Sequence, residues 1–129
     1  MEAANQAIHK FPKKERLSSK KLIKELFDKG SSFYLHPYKV FFLPQPDDGP
    51  ANHQVLITVP KKLFKRASTR NLIKRRIREA YRLNKHLLEI RDFYFLIGYI
   101  YVGKEVAEYK SMEDKLIETL LRLNSKSKN

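Results

Sequence analysis

A two-layer α+β sandwich, with helices stacked on one small sheet, is the fold the chain predicts, in the order helix, strands, long helix, strand, helix. Three observations predict it. Residues 38–43 and 54–59 are short, rich in aromatic and β-branched side chains and bounded by proline or turn residues, as strands are. Residues 68–88 repeat apolar side chains at helical spacing over a length no strand reaches. At 129 residues and 42% apolar content, the chain can build one core but not two.

The elements follow in order. Residues 1–16 have no periodicity and read as a flexible basic arm, with Phe11-Pro12 as its anchor on the body. Residues 17–29 form a helix that Ser18 or Ser19 caps and Gly30 ends. Its Leu22, Ile23, Leu26 and Phe27 share one face. Strand 38–43 lies between Pro37 and Pro44, and residues 45–52 (QPDDGPAN) carry the proline, aspartate, glycine and asparagine that favour turns. Strand 54–59 closes at Pro60, and the long helix follows. Residues 93–102 give a third strand, bent or bulged at Gly98. The last helix covers 112–123, with Ser111 and Asp114 spaced as a capping box. Residues 124–129 read as a disordered tail, which leaves 17–123 as the single domain.

Composition removes several function classes. There is no cysteine, which excludes disulfides, thiolate metal sites and cysteine nucleophiles. The N-terminus has no apolar signal-peptide core, and the apolar run 93–102 is about half the ~20 residues a membrane span needs. A soluble, cytoplasmic protein is expected.

The net charge of +13 is unevenly placed. Residues 61–82 (KKLFKRASTRNLIKRRIREAYR) hold ten of the 27 basic residues and one acid, Glu79. Residues 1–24 add seven cations against two acids, whereas 83–129 are nearly neutral, with eight against seven. At about 100° per residue, Arg70, Lys74, Arg78, Lys85, Asn71, Arg82 and Arg75 form one stripe of the long helix. Ile73, Ile77, Ala80, Tyr81, Asn84 and Leu88 form a second stripe beside it, and Arg76 lies off both. The apolar stripe packs on the sheet and leaves the basic one at its rim. Lys61, Lys62, Lys65 and Arg66 extend the basic patch around the helix N-terminus, whose unpaired N–H groups suit a phosphate. A merely solvated helix would alternate its charges; here the acids needed for i,i+4 pairs are nearly absent, so neighbouring cations repel unless a polyanion neutralises them. Nucleic acid is the partner this pattern predicts.

The same residues carry a family resemblance. Arg70-Asn71, Lys74-Arg75 and Arg78, behind Lys61-Lys62 and ahead of Tyr81, resemble the signature of the bacterial ribonuclease P protein subunit. Residues 11–32 (FPKKERLSSKKLIKELFDKGSS) resemble that family's opening, 54–62 (QVLITVPKK) its strand into the motif, and 91–103 (RDFYFLIGYIYVG) the strand after it. The chain departs from the pattern at Leu72, where the family carries a second arginine, and after residue 97, where it continues Gly98-Tyr99-Ile100-Tyr101. On the helical wheel Leu72 lies away from the basic stripe, so its effect on that face is small.

The resemblance implies a ribosomal-protein-like sandwich with a left-handed βαβ crossover around the motif helix, against the usual right-handed rule. It also implies a job: protein subunit of an RNA enzyme that removes the 5′ leader of precursor tRNA. In that enzyme the catalytic RNA subunit holds most of the Mg²⁺ and does the hydrolysis, so the polypeptide is expected to be non-catalytic. Its partners are ribonuclease P RNA and precursor tRNA, with no membrane and no DNA, as a monomer in a 1:1 ribonucleoprotein.

The residues read alone agree. Asp47 and Asp48 sit in a turn and the other acids are scattered, whereas a two-metal nuclease needs converging carboxylates. His9, His36, His53 and His86 show no metal-ligand spacing, which leaves only a histidine pair assembled by the fold as a source of acid–base chemistry. Candidate RNA-binding residues are Lys61, Lys62, Arg66, Arg70, Asn71, Lys74, Arg75, Arg78 and Arg82. For the single-stranded leader, which needs cations and flat side chains, strand 38–43 offers Lys39 and Phe41 on the face opposite Tyr38, Val40 and Phe42, because burying Lys39 is costly. By resemblance, Ile23 and Phe27 line the same cleft; the alternative is that both are core. Two other classes compete. A structural RNA-binding protein explains the charge but not the spacing of the motif. A DNA-binding regulator would need a second helix ahead of residue 68 that the chain does not supply.

Overall fold

The structure, a computed structural model, describes residues 10–90 and 92–126. Strands β1 (Ser31–Leu35), β2 (Tyr38–Pro44), β3 (Gln54–Thr58) and β4 (Phe95–Tyr101) form one sheet in the order β1-β2-β4-β3. The β1-β2 and β2-β4 pairs are antiparallel and β3-β4 is parallel. Helix α1 (Lys20–Lys29) precedes the sheet, α2 (Ala67–Asn84) is the crossover between β3 and β4, and α3 (Tyr109–Leu123) ends the fold. The α2 crossover is the connection to which the resemblance assigns a left-handed turn.

Strand alternation decides the layers. One sheet face presents Phe33, Tyr38, Val40, Phe42, Val55, Phe95, Ile97, Tyr99 and Tyr101, all buried. Helices α2 and α3 cover it with Ile73, Ile77, Ala80, Tyr81, Met112, Leu116 and Leu120. The apolar stripe read from the sequence is therefore the buried one. Buried tyrosines need partners for their hydroxyls, and α3 or its approach supplies them. Tyr38 donates to the Met112 carbonyl at 2.9 Å, Tyr99 lies 2.7 Å from Thr119 Oγ1, and Tyr101 donates to the Glu105 carbonyl at 2.6 Å. Burial and, for Tyr38, neighbouring phenols raise the pKa of each, so all three stay neutral.

The opposite face carries α1 and a smaller core of Leu17, Leu26 and Leu96, with Leu22, Ile23, Phe41, Leu43 and Leu56 packed around it. Gly98 is not a bulge. Its strand keeps continuous register with both neighbours, opposite Phe41 and Leu56. A Cβ there would lie 3.1 Å from Leu26 Cδ2, so the glycine lets α1 sit close to the sheet. Gly30 ends α1 for a similar reason and not for left-handed backbone: its φ is −72°, and a Cβ would lie 2.3 Å from the Leu26 carbonyl.

Several boundaries differ from the sequence reading. Helix α1 starts at Lys20, with Ser19 accepting from the Leu22 N–H at 3.3 Å. Leu17 lies outside it because its N–H bonds the Val55 carbonyl at 2.9 Å, alongside the edge of β3. Strand β1 went unread, since Phe33 is its only fully buried residue and the alternation has nothing to repeat. Helix α2 ends at Asn84 and continues as a 3-10 turn, Lys85–Leu87. Helix α3 starts at Tyr109 after Glu108 with no side-chain cap, so Ser111 and Asp114 lie inside it and form no capping box. Of the arm expected over 1–16, residues 1–9 lie outside the described part and residues 10–16 are docked, with Phe11 buried against Tyr81. Of the expected tail, 127–129 lie outside the described residues. Asn124 is tied in by bonds to the Leu87 carbonyl at 2.7 Å and from the Glu89 N–H at 2.8 Å.

Candidate nucleic-acid interface

The basic stripe of α2 is exposed where the wheel places it. Asn71, Arg75 and Arg78 are exposed, and Lys74 is half-buried beside them. Lys61, Lys62 and Arg66 stand exposed ahead of the helix, on the turn that leads from β3. That turn is pinned inward by Phe64, whose ring centroid lies 5.9 Å from that of Tyr101. The first turn of α2 contains no acid, and its N-cap, Arg66, makes no side-chain capping bond. The field at this end is therefore uniformly positive, with the helix N-terminus adding to it.

Within α2, two members of the stripe, Arg70 and Arg82, have structural partners that the sequence did not reveal. Arg70 donates to the carbonyls of Phe64 and Lys65 at 2.8 and 2.9 Å, which fixes the basic turn to the helix. Arg82 pairs with Glu79, so the one acid of the segment does form an i,i+3 ion pair. Arg76, off both stripes, donates to the Ala107 carbonyl at 2.8 Å and holds the loop between β4 and α3.

The second feature is a row of side chains on the α1 face of the sheet. Register places Tyr34 beside Lys39, Lys39 beside Ile100, and Ile100 beside Thr58. The next row is Ser32, Phe41, Gly98 and Leu56. Helix α1 covers that second row, because Leu26 and Phe27 both reach Gly98. In the first row the half-buried Ile100 stands where the second has the buried Gly98. Tyr34 is 64% exposed, Phe27 is 36% exposed, and Lys39, Ile100 and Thr58 are half-buried. Phe27 meets Phe41 edge to face at 4.9 Å, and the Lys39 ammonium lies 5.1 Å from the Tyr34 ring and 5.0 Å from the Phe41 ring. The result is an aromatic shelf with a cation on it.

Of the cleft residues read from sequence, the structure brings Phe27, Lys39 and Phe41 together. Ile23, half-buried like Phe41, packs with it against the small core of Leu17, Leu26 and Leu96. Tyr34 was missed along with its strand. Its signal was present, as the Phe33-Tyr34-Leu35 run next to His36-Pro37, but too short to stand as a strand alone.

The two features meet at one end of the sheet. Strand β3 ends at Thr58, in the open row, and residues 59–66 carry the chain from there through Lys61, Lys62, Lys65 and Arg66 into α2.

The histidines take no such part. His53 Nδ1 accepts the Phe95 N–H at 2.8 Å, its ring stacks on Phe95, and burial lowers its pKa to about 4. With His86 it lines a cavity of about 330 Å³ shared with Glu15, Tyr81, Lys85 and Tyr94. His9 lies outside the described residues. Among those described, no three His, Cys, Asp or Glu side chains converge to hold a metal ion, and no helix is long and apolar enough to cross a membrane.

Comparison with known proteins places these features in context. A family model described as Ribonuclease P matches residues 11–124. A ribonuclease P protein component from Porphyromonas gingivalis is 36% identical over 115 residues, covering 86% of this chain and 84% of its own. One from Petrotoga mobilis is 33% identical over 115 residues, covering 85% and 94%. Among solved structures, the RNase P protein from Thermotoga maritima superposes with a TM-score of 0.70 at 27% identity, covering 84% of this chain and 96% of its own. The Staphylococcus aureus RNase P protein gives 0.65 at 22%, covering 86% and 95%, a likeness of fold.

Proposed function

The chain belongs to the ribonuclease P family, and on that premise we propose that it is the protein subunit of a ribonuclease P. It binds the catalytic RNA and the 5′ leader of precursor tRNA, and it assists the RNA-catalysed, Mg²⁺-dependent removal of the leader. The observation that carries this reading is the junction just described: an open shelf of Tyr34, Phe41 and Lys39 running into the cations ahead of α2.

Each part has a physical role. Exposed bases of a single-stranded leader stack on Tyr34, Phe41 and the edge of Phe27, and stacking tolerates any sequence because every base has a flat face. Lys39 meets the backbone without reading bases. Beyond the shelf, Lys61, Lys62 and Arg66 hold phosphates, while Lys74, Arg75, Arg78 and Asn71 face the structured RNA. Arg70 acts through its two carbonyl bonds, which keep the basic turn in place.

Magnesium supplies the charge stabilisation for phosphodiester hydrolysis. The described residues offer no converging donor set for it. On this proposal the RNA holds it, and the protein contributes fixed cations that neutralise crowded phosphates. The requirement for free Mg²⁺ falls accordingly.

The test is cleavage of a precursor tRNA by a bacterial ribonuclease P RNA, with and without the protein, as Mg²⁺ is lowered. Stimulated cleavage at the mature 5′ end, largest at low Mg²⁺, is expected. RNA binding without stimulation of a matched RNA would reduce the protein to a structural RNA binder.

A further inference from the structure

The arm carries the other dense group of cations, and an acid holds it in place. Lys10, Lys13, Lys14 and Arg16 are all exposed. The backbone between them is fastened to the body at several points. The Lys14 carbonyl accepts from Asn52 Nδ2 at 3.0 Å and Gln54 Nε2 at 3.2 Å, and Leu17 bonds Val55 at 2.9 Å. Phe11 packs edge-on against Tyr81 at 5.3 Å, and the Arg16 guanidinium lies over Phe11 at 5.2 Å. Glu15 points inward from this basic turn. Its carboxylate accepts from Lys85 Nζ at 2.8 Å, and each side chain is only 15% exposed. The same ammonium donates to the Lys10 carbonyl.

Lys85 opens the 3-10 turn that continues α2, in line with the basic stripe read from the sequence and four residues beyond Tyr81. The clamp therefore joins the arm to the C-terminal end of that stripe, where Arg78 and Arg82 lead into it. We infer that Glu15 is a positioning residue for RNA binding: its pair with Lys85 holds the arm so that Lys13, Lys14 and Arg16 prolong the basic face of α2 as a second phosphate-contacting track. The inference rests on the RNA-binding reading above. Ion pairs at open surfaces contribute little. This one is largely withdrawn from water, and loss of one partner leaves the other charge poorly solvated. A released arm must then be ordered again whenever its cations meet phosphate.

The prediction has a distinctive sign. Electrostatics alone says that removing an acid from a basic protein strengthens its hold on RNA. The clamp says the opposite. With full-length protein and ribonuclease P RNA, Glu15→Gln should bind about tenfold more weakly at moderate salt. Its log–log salt slope should also flatten by about 2, since three phosphate contacts contribute roughly 0.7 to 0.9 each. Equal or tighter binding with the parent slope overturns the inference. Replacing Lys13, Lys14 and Arg16 together by alanine removes three exposed cations and, with Arg16, its contact over Phe11, so a urea midpoint matching the parent's is the control that the fold is kept. This replacement should flatten the slope by the same amount and add nothing to Glu15→Gln. A triple variant with the parent slope also overturns it. Arg78→Ala separates the two levels of the argument. If it flattens the slope and the arm variants do not, only the arm inference falls; if it too changes nothing, the RNA-binding reading fails with it.

Discussion

The two faces of the sheet are covered to different depths, and that difference separates what holds the fold from what binds. Two helices seal one face, leaving Tyr38, Val40, Ile97, Tyr99 and Tyr101 without exposed surface. One ten-residue helix covers the other, and only over its lower rows. The row it leaves open holds Tyr34, Lys39, Ile100 and Thr58, with Phe27 and Phe41 at the border. A sheet needs only one fully buried face to be stable. The second is free to keep aromatic side chains in water, where they can meet a ligand.

The largest effect belongs to the sealed face. Ile77 has no exposed surface and sits in the core between α2 and the sheet. Ile77→Ala should cost about 2–5 kcal/mol, from lost transfer energy and the cavity left behind. Urea unfolding should show a lower midpoint at an unchanged slope. Leader affinity, measured where the variant is still folded, should not move. A loss below about 1 kcal/mol would mean that this face is looser than its burial implies.

Next comes His53, which closes the same core at its lower end by stacking on Phe95. Burial holds its pKa near 4, below its ordinary value of 6.5. Above pH 6.5 the ring is neutral in folded and unfolded chains alike, and its contribution is fully present. As pH falls from about 6.5 towards 4, the unfolded chain takes up a proton that the folded one refuses, so stability is lost across that window. The loss approaches about 3 kcal/mol at its low end. Unfolding titrations between pH 7 and 4 should show it, and His53→Gln should remove that part of the pH dependence. A parent protein with flat stability over that range contradicts the assignment.

The sealed face was also the legible one. Strand β2 alternates cleanly and helix α2 repeats Ile73, Ile77 and Tyr81 at helical spacing, so period alone marked these residues as core. The open face was read by halves. Lys39 and Phe41 were found because a lysine cannot be buried cheaply, but Tyr34 was not, because β1 is a five-residue edge strand with one fully buried side chain. Ile23 lies partly buried beside Phe41 against the same small core, and its sequence position alone does not separate cleft from core. The basic stripe was legible as charge. Its internal bonds were not, since Arg70 to Phe64 and Lys65, Arg76 to Ala107 and Lys85 to Glu15 depend on where distant backbone arrives. Cap chemistry misled at α3, where Ser111 and Asp114 fit a capping box by spacing but the helix begins at Tyr109, three residues before the expected start.

The smallest effect on stability should come from the open row, and it gives the sharpest test of the comparison. Tyr34 is mostly exposed and its ring touches the fold chiefly through the Lys39 ammonium. Tyr34→Ala should therefore shift stability by no more than about 0.5 kcal/mol. If bases stack on that ring, the same change should weaken precursor tRNA binding by about 1–3 kcal/mol. Mature tRNA, which lacks the leader, supplies the control: parent and variant should bind it equally in complex with the catalytic RNA. Tyr34→Phe keeps the flat face and should keep the affinity, which distinguishes stacking from a bond through the hydroxyl. Were Tyr34→Ala to lower stability by several kcal/mol instead, the open row would be core after all, and the leader would have to lie elsewhere on the protein.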